Sequence, residues 1–371
     1  MSESEAALAR AVLIHGPLSR RELTTRLGLS PASLTRLAKP LLDSGLIVEL
    51  DDVADGSIGR PSRPLDIADG LGAFVGIKLT GDRLYAVGTD IRAEPLAWDE
   101  RPLDDRSPEA VIAEVIAAVH ALDVPDLVGV GVSLGGLVQD GAVRRAPFLE
   151  WGEVDLRGRL ERALELPVAI ENDVVALAEA ERWFGAGTGL PGFVIVTVGA
   201  GVGYGLVVDG VVVRTPDAAV GTGGHLPLDP YGPVCSDGHR GCAQAMLTTG
   251  SITAQVGAAL GRVVTYGETL ELARRGEPAA RAVVDAAADA LGRMIALAAN
   301  LSLQPAVVLA GEGVALFEVT EARVRDAIAA GRDPRAQPID IHVDDSGFRG
   351  WARGAAAVAI QAAMARMHAP R

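Results

Sequence analysis

From Phe74 onward the chain alternates Val- and Ile-rich runs, glycine-rich turns and alanine-rich stretches, and this alternation constrains its fold more than any other feature. Short β-branched runs bounded by glycine predict buried strands, and the longer alanine-rich stretches predict helices that cover a sheet. The clearest strand patterns are 74–79, 127–133, 193–198 and 306–309, and the clearest helical patterns are 108–121, 173–183, 279–301 and 354–367. Strands that alternate with helices are typical of an α/β fold. Similar glycine-turn spacing around 72–138 and 193–213 suits two related α/β lobes.

Length and charge limit the function classes that remain. The 371 residues exceed what a single core usually serves, so we expect two or three domains. Lys and Arg number 34 against 48 Asp and Glu, which gives a formal net charge of −14. An overall field of that sign repels nucleic acid, so a DNA-binding surface has to be a local basic patch.

Targeting signals and a disulfide framework are not expected. No apolar run approaches the roughly 20 residues that span a bilayer, and the first ten residues lack the basic and apolar regions of a signal peptide. The two cysteines are too few to organise the fold by disulfides. These features predict a cytoplasmic protein that has no membrane partner.

The first 68 residues have a different pattern from the rest. Helical patterns at 6–15, 20–27 and 32–44 precede two short strand patterns that flank a polar tip. Ser30 is placed to cap the third helix, and Pro31 takes its first position, where the missing N–H does no harm. Leucines at positions 23, 27, 34 and 37 supply an inward face. This pattern predicts a winged helix-turn-helix, whose second helix offers short polar and cationic side chains to a major groove.

A local basic patch coincides with this module. Between residues 17 and 41 the chain carries five basic side chains and one carboxylate. A patch of this kind can bind phosphates even on an acidic protein, and a basic wing end can reach a minor groove. The predicted DNA contacts are Arg20, Arg21, Ser33, Thr35, Arg36, Lys39, Arg60 and Arg63. The alternative for this segment is a helical bundle or dimerisation element with ordinary surface arginines.

Several blocks of the body, taken in order, carry a family likeness. They are 131–138 (GVSLGGLV), 171–173 (END), 199–205 (GAGVGYG), 224–225 (GH), 235–242 (CSDGHRGC) and 352–356 (ARGAA). On these blocks the chain resembles the ROK family (repressors, open reading frames, kinases) from residue 70 almost to its end. The N-terminal module places it beside the repressor branch of that family, which includes N-acetylglucosamine and xylose regulators.

The resemblance implies a fold class and a domain plan. The expected fold is α/β, with an N-terminal winged helix-turn-helix and a two-lobed actin/hexokinase-like (ribonuclease H-like) body. Residues 1–68 would form the DNA-binding domain, 70–170 the first lobe and 171–350 the second lobe with a candidate zinc loop. A C-terminal helix of about 351–371 would pack back on the first lobe.

The segment Glu171-Asn172-Asp173 follows an apolar strand and begins a helix. Polar side chains at the carboxyl end of a strand face the binding crevice of an open α/β sheet, where they can bind the hydroxyls of a polyol. The alternative is that Asn172 or Asp173 only caps the helix. Carried over from the family, the sugar-contact positions are Gly136, Asn172, Asp173, Thr222, His225 and Gln244.

Three of the family's sugar-contact positions are altered here. Thr222 and Gln244 stand where the family usually has Glu, and Phe148 replaces a common Asn. These changes make the expected pocket less anionic and partly more apolar. They suggest a sugar or sugar derivative unlike glucose or N-acetylglucosamine, or else the loss of effector binding.

Phosphoryl transfer is not expected. ROK kinases resemble one another in an Asp followed by Gly-Gly-Thr on the first body strand, where the Asp serves the metal–ATP phosphates. In this chain Lys78 takes the Asp position and is followed by the bulky Leu79, so the Mg²⁺ anchor is lost. The glycine-rich run 199–205 continues into a hairpin, which by itself is weak evidence for a phosphate loop. We therefore expect no ATP cofactor and no enzymatic activity; the rival hypothesis is a sugar kinase with an appended DNA-binding domain.

A possible metal site lies at 225–242. In the family a His and three Cys hold a structural Zn²⁺. Here Asp237 replaces the middle Cys, so the implied ligands are His225, Cys235, Asp237 and Cys242, with His239 as a substitute. The alternative is two buried free thiols without zinc.

Together these features predict a transcriptional regulator, most simply a repressor of carbohydrate genes. Its expected partners are an inverted-repeat DNA operator, a sugar-like effector and a second copy of the chain, as a dimer or tetramer. A further alternative is a DNA-binding regulator that responds to no ligand.

Overall fold

The computed structural model of the chain describes residues 2–51, 63–215, 217 and 221–366, so Arg60 of the expected wing lies outside the described residues. The described part has an N-terminal module followed by an α/β body with two five-stranded sheets. No helix in these ranges combines the length and apolar character needed to cross a membrane.

The N-terminal module is three helices and a two-stranded sheet. It consists of α1 (Glu3–His15), α2 (Arg20–Leu27), α3 (Pro31–Asp43) and the antiparallel strands β1 (Ile47–Glu49) and β2 (Leu65–Ile67). Ser19 and Glu22 cap the start of α2 reciprocally, and Gly28 ends α2 in the left-handed conformation. Ser30 caps α3 and Pro31 occupies its first turn, as the sequence predicts. Local side chains therefore fix both ends of the turn between α2 and α3.

The first sheet of the body has the strand order β5-β4-β3-β6-β9. Its elements are β3 (Ala73–Leu79), β4 (Arg83–Thr89), β5 (Pro95–Pro102), α4 (Pro108–Leu122), β6 (Leu127–Leu134), the hairpin β7 (Leu137–Gln139) and β8 (Ala142–Arg145), α5 (Leu156–Leu164) and β9 (Val168–Asn172). Strands β3, β6 and β9 run parallel, whereas β4 and β5 are antiparallel additions. The next element along the chain is α6 (Asp173–Phe184), which begins directly at the end of β9.

The second sheet, with the order β12-β11-β10-β13-β14, repeats this pattern of strand directions. Its elements are β10 (Phe193–Val198), β11 (Val202–Val208), β12 (Val211–Val212), α7 (Ala243–Leu247), α8 (Thr249–Leu260), α9 (Tyr266–Arg274), α10 (Pro278–Ser302), β13 (Ala306–Ala310), α11 (Ala315–Ala330) and β14 (Asp340–Val343). Each sheet thus combines an antiparallel meander with two parallel strands, which agrees with the expectation of two related lobes.

The last helix, α12 (Phe348–Arg366), returns to the first sheet. It lies backbone to backbone against two glycines of that sheet. A methyl group on Gly131 would lie 1.9 Å from the Ala355 carbonyl oxygen, and one on Gly76 would lie 2.1 Å from that of Ala352. The helix also packs along α6. Glycine at these two strand positions is what allows α12 to seat so closely.

The N-terminal module and the body share one hydrophobic core. Its buried members include Leu8, Leu13, Leu23 and Leu34 of the module and Phe74, Ile91, Trp183, Ile360 and Met364 of the body. At its edge Arg92 forms an ion pair with Asp66 and donates to the Leu13 carbonyl at 3.1 Å. The module is therefore docked on the body through α6 and α12.

Candidate functional sites

The outer face of α3 carries the predicted recognition residues. Thr35, Arg36 and Lys39 are exposed, whereas Ser33 is half-buried. The hydroxyl of Ser33 accepts from Ser30 Oγ at 3.0 Å, and Thr35 Oγ1 donates to a backbone carbonyl one turn earlier at 3.0 Å. The two short polar side chains are thus tied to the helix, and the two cations project from it.

The basic residues around the wing have different environments. Arg20, at the start of α2, is half-buried and forms an ion pair with Glu49 of β1 at 2.5 Å. Arg63 lies 3.9 Å from the same carboxylate, and Arg21 is exposed on the next helical position. Arg20 therefore joins α2 to the wing, which ties the helix and the wing into a single surface.

Asn172 is the helix cap that joins β9 to α6. Its Oδ1 accepts from Val174 N at 3.0 Å and from Val175 N at 3.2 Å, while its Nδ2 donates to the Gly136 carbonyl at 3.0 Å. The residue is only 4% exposed. The capping alternative is thus present in the structure, and the same amide brings Gly136 and α6 together.

Asp173 forms a buried ion pair with Lys78. Its Oδ2 accepts from Lys78 Nζ, and its Oδ1 accepts from Val174 N at 2.9 Å. The two side chains are 13% and 7% exposed, respectively. The Lys78 ammonium also lies 4.9 Å from the centre of the Trp351 ring, within range of a cation–π contact. The Lys78 ammonium therefore lies directly beside the Asp173 carboxylate, which was predicted as a sugar contact, and places a positive charge there.

The Phe148 ring stands at the edge of this ion pair. A methyl group on Gly135 would lie 3.0 Å from the ring and 3.3 Å from Asp173 Oδ2, and one on Gly201 would lie 3.6 Å from the tip of the ring. The ring therefore reaches from the first lobe to the glycine turn that joins β10 to β11. It is 47% exposed, so one side remains available for stacking on a ligand.

The remaining predicted sugar contacts lie on the second lobe. Thr222 and His225 bound a short 3₁₀ turn, and Gln244 lies in α7. A methyl group on Gly224 would lie 3.5 Å from Gln244 Oε1, so the glutamine side chain approaches the turn that carries His225. The six predicted positions accordingly form two groups, one at the ends of β6 and β9 and one at this turn.

A cluster of potential metal ligands surrounds Nδ1 of His225. The ligand atoms of His225, Cys235 and Cys242 all lie within 4.8 Å of one another. His225 Nδ1 lies 3.9 Å from each sulfur, and His239 Nδ1 lies 3.1 Å from His225 Nδ1 and 3.7 Å from Cys235 Sγ. Tetrahedral zinc places its nitrogen and sulfur ligands about 3.6 Å apart, so these separations fit a metal ion. Asp237 instead contacts Nε2 of His225 at 3.2 Å, on the other side of the ring.

The two thiols have opposite tendencies to ionise. Burial disfavours the thiolate of Cys235, but hydrogen bonds from the backbone at His239 and Asp237 and from the side chains of Cys242 and His239 together lower its pKa. Burial raises the pKa of Cys242. The pair therefore carries one thiolate more readily than two, and a bound divalent cation would favour ionisation of both.

Sequence reasoning missed two carboxylate contacts of the cleft. It interpreted Lys78 as the loss of a metal anchor and did not pair it with Asp173. Lys78 lies on β3 and Asp173 directly follows β9, and both strands belong to the parallel part of one sheet. It also passed over Glu312, whose carboxylate accepts from Ala200 N at 2.5 Å. The available signal was a carboxylate between two glycines directly after a buried strand.

Comparison with known proteins identifies the family. The model of the ROK family matches residues 75–362. The DNA-binding transcriptional repressor Mlc of Escherichia coli is 26% identical over 314 residues, covering 80% of this chain and 77% of the relative. The dual regulator NagC of the same organism is 28% identical over 331 residues, covering 83% and 80%. The xylose repressor of Bacillus subtilis is 27% identical over 246 residues, 64% of each chain.

Solved structures establish the α/β fold. A ROK-family transcriptional regulator, described as a homologue of the E. coli Mlc protein, has a TM-score of 0.81 at 24% identity and covers 97% of this chain and 96% of its own. The ROK glucokinase of Streptomyces griseus, solved with glucose and AMPPNP, has a TM-score of 0.69 at 24% identity and covers 78% of this chain and all (100%) of its own. Because the family model spans most of the sequence and both sheets, the chain belongs to the ROK family.

Proposed function

We propose that this chain is a DNA-binding transcriptional repressor of carbohydrate genes, controlled by a sugar or sugar derivative that binds between the two lobes of its body. The observation that carries the proposal is the continuous core between the helix-turn-helix module and the ROK body. The names of the relatives support it, since Mlc, NagC and the xylose repressor are all regulators.

On this proposal α3 enters the major groove. Arg36 and Lys39 project from its exposed face toward base edges and phosphates, and Arg20 and Arg21 lie at the start of the preceding helix, within reach of the backbone. Two copies of the chain related by a two-fold axis would read an inverted repeat, as a dimer or within a tetramer.

The helix α6 supplies a route from effector to DNA. It begins at Asp173 in the cleft and ends at Trp183 and Phe184, which pack in the core shared with the N-terminal module. A ligand that binds one lobe arrangement better than the other would shift the position of α6, and with it the module. The change in operator affinity can be no larger than this difference in ligand affinity.

The kinase hypothesis is disfavoured by the contacts of Lys78. A general base has to accept the proton of the substrate hydroxyl, but Asp173 is already bonded to an ammonium and to a backbone N–H. The same ammonium would repel Mg²⁺ from the first strand. We therefore propose that Asp173 and Lys78 together position a ligand and transfer no phosphoryl group.

The test begins with selection of bound sequences from random DNA, followed by measurement of affinity at one fixed salt concentration. We expect an inverted repeat, and we expect Arg36→Ala to weaken binding to it by about tenfold or more, since a base contact is worth about 1–3 kcal/mol. Sugars that raise the thermal stability of the protein should then change its affinity for this operator.

Arg162→Ala is the matched control, because it also removes an exposed arginine from a helix, here α5 of the body. It should leave operator affinity unchanged. Equal affinities for the Arg36→Ala and wild-type proteins would refute the role of α3. If no sugar altered stability or operator affinity, the effector part of the proposal would be wrong and the body would serve assembly alone.

We also propose a structural zinc ion, held by His225, Cys235, Cys242 and His239. The Nδ1 atoms of the two histidines face each other across the cluster, whereas Asp237 is bonded to Nε2 of His225 and would orient that ring. Zinc would crosslink the turn that carries His225 to the start of α7, and so fix the second-lobe part of the cleft.

Metal analysis of protein purified without chelator tests the zinc site. We expect about one zinc per chain in the wild type and in Ser236→Ala, a control in the same loop, and none in Cys242→Ser. His239→Asn should lose the metal, whereas Asp237→Asn should keep it. Absence of stoichiometric zinc in the wild-type protein would contradict the site. If instead Asp237→Asn lost the metal and His239→Asn kept it, the fourth ligand would be Asp237.

A further inference from the structure

Glu179 is a carboxylate buried in the middle of α6, where it is 2% exposed. Its Oε2 accepts from Nε of Arg182 at 2.9 Å and from Nε2 of Gln361, on α12, at 2.7 Å. Its Oε1 lies 2.7 Å from Nη2 of Arg214, which follows β12 on the second lobe. A carboxylate this deeply buried is stable only when it is paired, so the loss of one partner leaves part of its charge uncompensated. This carboxylate therefore joins α6 to α12 and to the second lobe.

Arg214 bridges Glu179 and a further carboxylate, that of Glu171. The Nε of Arg214 donates to Oε2 of Glu171 at 3.2 Å, and Oε1 of the same carboxylate accepts from the backbone N–H of Asn172 at 2.9 Å. Glu171 lies on β9, directly before the predicted ligand contacts Asn172 and Asp173. Burial disfavours the charge of Arg214, but the charges of Glu179 and Glu171 and their hydrogen bonds together raise its pKa. The guanidinium therefore has two fixed partners, one at the edge of the cleft and one on α6.

The hairpin of β11 and β12 lies along α6 and contacts it near both ends. A methyl group on Gly203 of β11 would lie 2.6 Å from Cγ2 of Val174, in the first turn of α6. In the last turn of α6, Nη1 of Arg182 donates to the carbonyl of Gly210, between β11 and β12, at 3.0 Å. Arg214 adds the contact with the middle of the helix. The hairpin is therefore attached along the whole length of α6.

Arg214 also stands at the start of the segment that leads to the second-lobe ligand contacts. Thr222, eight residues further along the chain, begins the 3₁₀ turn that ends at His225. On the other side, α6 reaches Trp183 and Phe184, which pack in the core shared with the N-terminal module. Arg214 thus lies between the turn that is predicted to contact a ligand and the helix that leads to the N-terminal module.

We propose that Arg214 is a positioning residue for the effector response, because it couples the turn 222–225 to α6 and holds α6 in the arrangement that binds the operator. This role rests on the proposed function, and it assigns the regulation of that site to a residue outside the predicted ligand contacts. An arginine fork fits its acceptors in one fixed geometry, so the turn cannot move without displacing α6 or breaking an ion pair. Displacement of α6 would move the residues on which the N-terminal module is docked.

Hydrogen–deuterium exchange of the full-length protein, followed by mass spectrometry, tests the contact with α6. In Arg214→Ala the amides of α6 should exchange at least tenfold faster than in the wild type, because Glu179 loses one of its cationic partners. The amides of α10, in the core of the second lobe, should be unchanged. Arg262→Ala is the matched control and should exchange as the wild type does. Arg262 is 49% exposed, against 44% for Arg214, and forms an ion pair with Glu268 at 2.7 Å.

A double-mutant cycle assigns the effect to Glu179. Glu179→Gln keeps the side-chain volume and one acceptor oxygen, but it removes the charge that Arg214 neutralises. If the arginine acts through this carboxylate, adding Arg214→Ala to Glu179→Gln should change the exchange of α6 less than threefold. Effects of the two substitutions that simply multiply would show two independent roles and would overturn the proposal.

Operator affinity tests the consequence for DNA binding, and it is measured at one fixed salt concentration on the sequence that the wild type selects. Arg214→Ala should bind this operator at least fivefold more weakly, whereas Arg262→Ala should bind it as the wild type does. Arg214→Lys keeps the charge but not the fork, so it should also bind more weakly than the wild type.

The proposal is overturned if Arg214→Ala, shown to be folded by circular dichroism, leaves either the exchange of α6 or the operator affinity unchanged. It is also overturned if Arg214→Lys binds the operator as tightly as the wild type, because the charge alone would then account for the effect. If the wild type selects no operator, the proposed function fails, while the exchange measurement still decides whether Arg214 holds α6.

Discussion

Lys78 shows how one residue changes the chemistry of a strand end. Its position on β3 lies beside Ser133 of β6, which in turn lies beside Glu171 of β9, so the register brings it to the edge where Asp173 begins α6. An ammonium at this point neutralises the carboxylate and stacks on Trp351. Sequence reasoning identified Lys78 as a departure but not its partner, because the pair is 95 residues apart and its contact depends on strand register.

Glu181 is a second buried carboxylate, on the far half of α6. It is 8% exposed, and its Oε2 accepts from Ala186 N at 2.8 Å. Burial, with a smaller contribution from Asp344, raises its pKa above the ordinary 4.5, although the Ala186 hydrogen bond and the charges of Arg353 and His342 oppose the shift. The folded state therefore holds this proton more tightly than the unfolded chain does, and folding stability falls as pH rises from 4.5 through the raised pKa.

We expect Glu181→Gln to stabilise the protein at neutral pH and to raise Tm by about 2 °C. The amide oxygen still accepts from Ala186 N, while the cost of burying a charge is removed. The gain should shrink as pH falls through the raised pKa and vanish below 4.5, where the glutamate is protonated in both states. Thermal unfolding across this pH range measures it, with the exposed Glu318→Gln as control; a gain that did not change with pH would point to packing.

Among the elements, α12 depends most on residues that offer no side chain. Gly76 and Gly131 let its backbone rest on β3 and β6. The sequence predicted a helix over 354–367, and the structure begins it at Phe348. Alanine periodicity identified the element but not its earlier start, where Phe348 stacks on Tyr85 with ring centres 4.4 Å apart.

Gly131→Ala should destabilise the protein by about 3 kcal/mol or more, because the added methyl would lie 1.9 Å from a carbonyl oxygen of α12 and force the helix away from the sheet. Denaturant unfolding measures the change. Gly129→Ala is the matched control on the same strand, since its methyl would meet only ordinary contacts at 3.6 Å or more. Equal stabilities of the two variants would show that α12 is not held by this contact.

The loop that carries the candidate metal ligands, residues 225–242, marks the limit of sequence reasoning at the element scale. The family resemblance implied His225, Cys235, Asp237 and Cys242 as ligands, with His239 as a substitute for the fourth. Which side chain faces His225 Nδ1 depends on how the loop turns, and Gly238 and Gly241 both adopt positive φ, at 84° and 57°. Glycine adopts positive and negative φ about equally readily, so the sequence alone does not determine how this loop turns.

Over the whole molecule, the net charge lies on the body alone, whereas the hydrophobic core is shared between the N-terminal module and the body. Through Pro64 the chain carries eight basic and eight acidic side chains, so the net charge of −14 belongs to the body. The local signals of the N-terminal module, such as the caps of α2 and α3, were sufficient to predict its elements. Its docking onto α6 and α12 was not predictable, because that contact joins residues more than 100 positions apart.

The shared core also limits how such regulators can be recombined. If residues 1–68 were exchanged for the N-terminal module of another regulator, Trp183, Ile360 and Met364 would lose the side chains that now cover them. A functional hybrid therefore has to keep both contacting surfaces, that of the N-terminal module and that of α6 and α12, from the same protein. If α3 is the recognition helix, as proposed, we expect a new operator preference to be gained more readily by changing the outer face of α3 than by replacing the module that carries it.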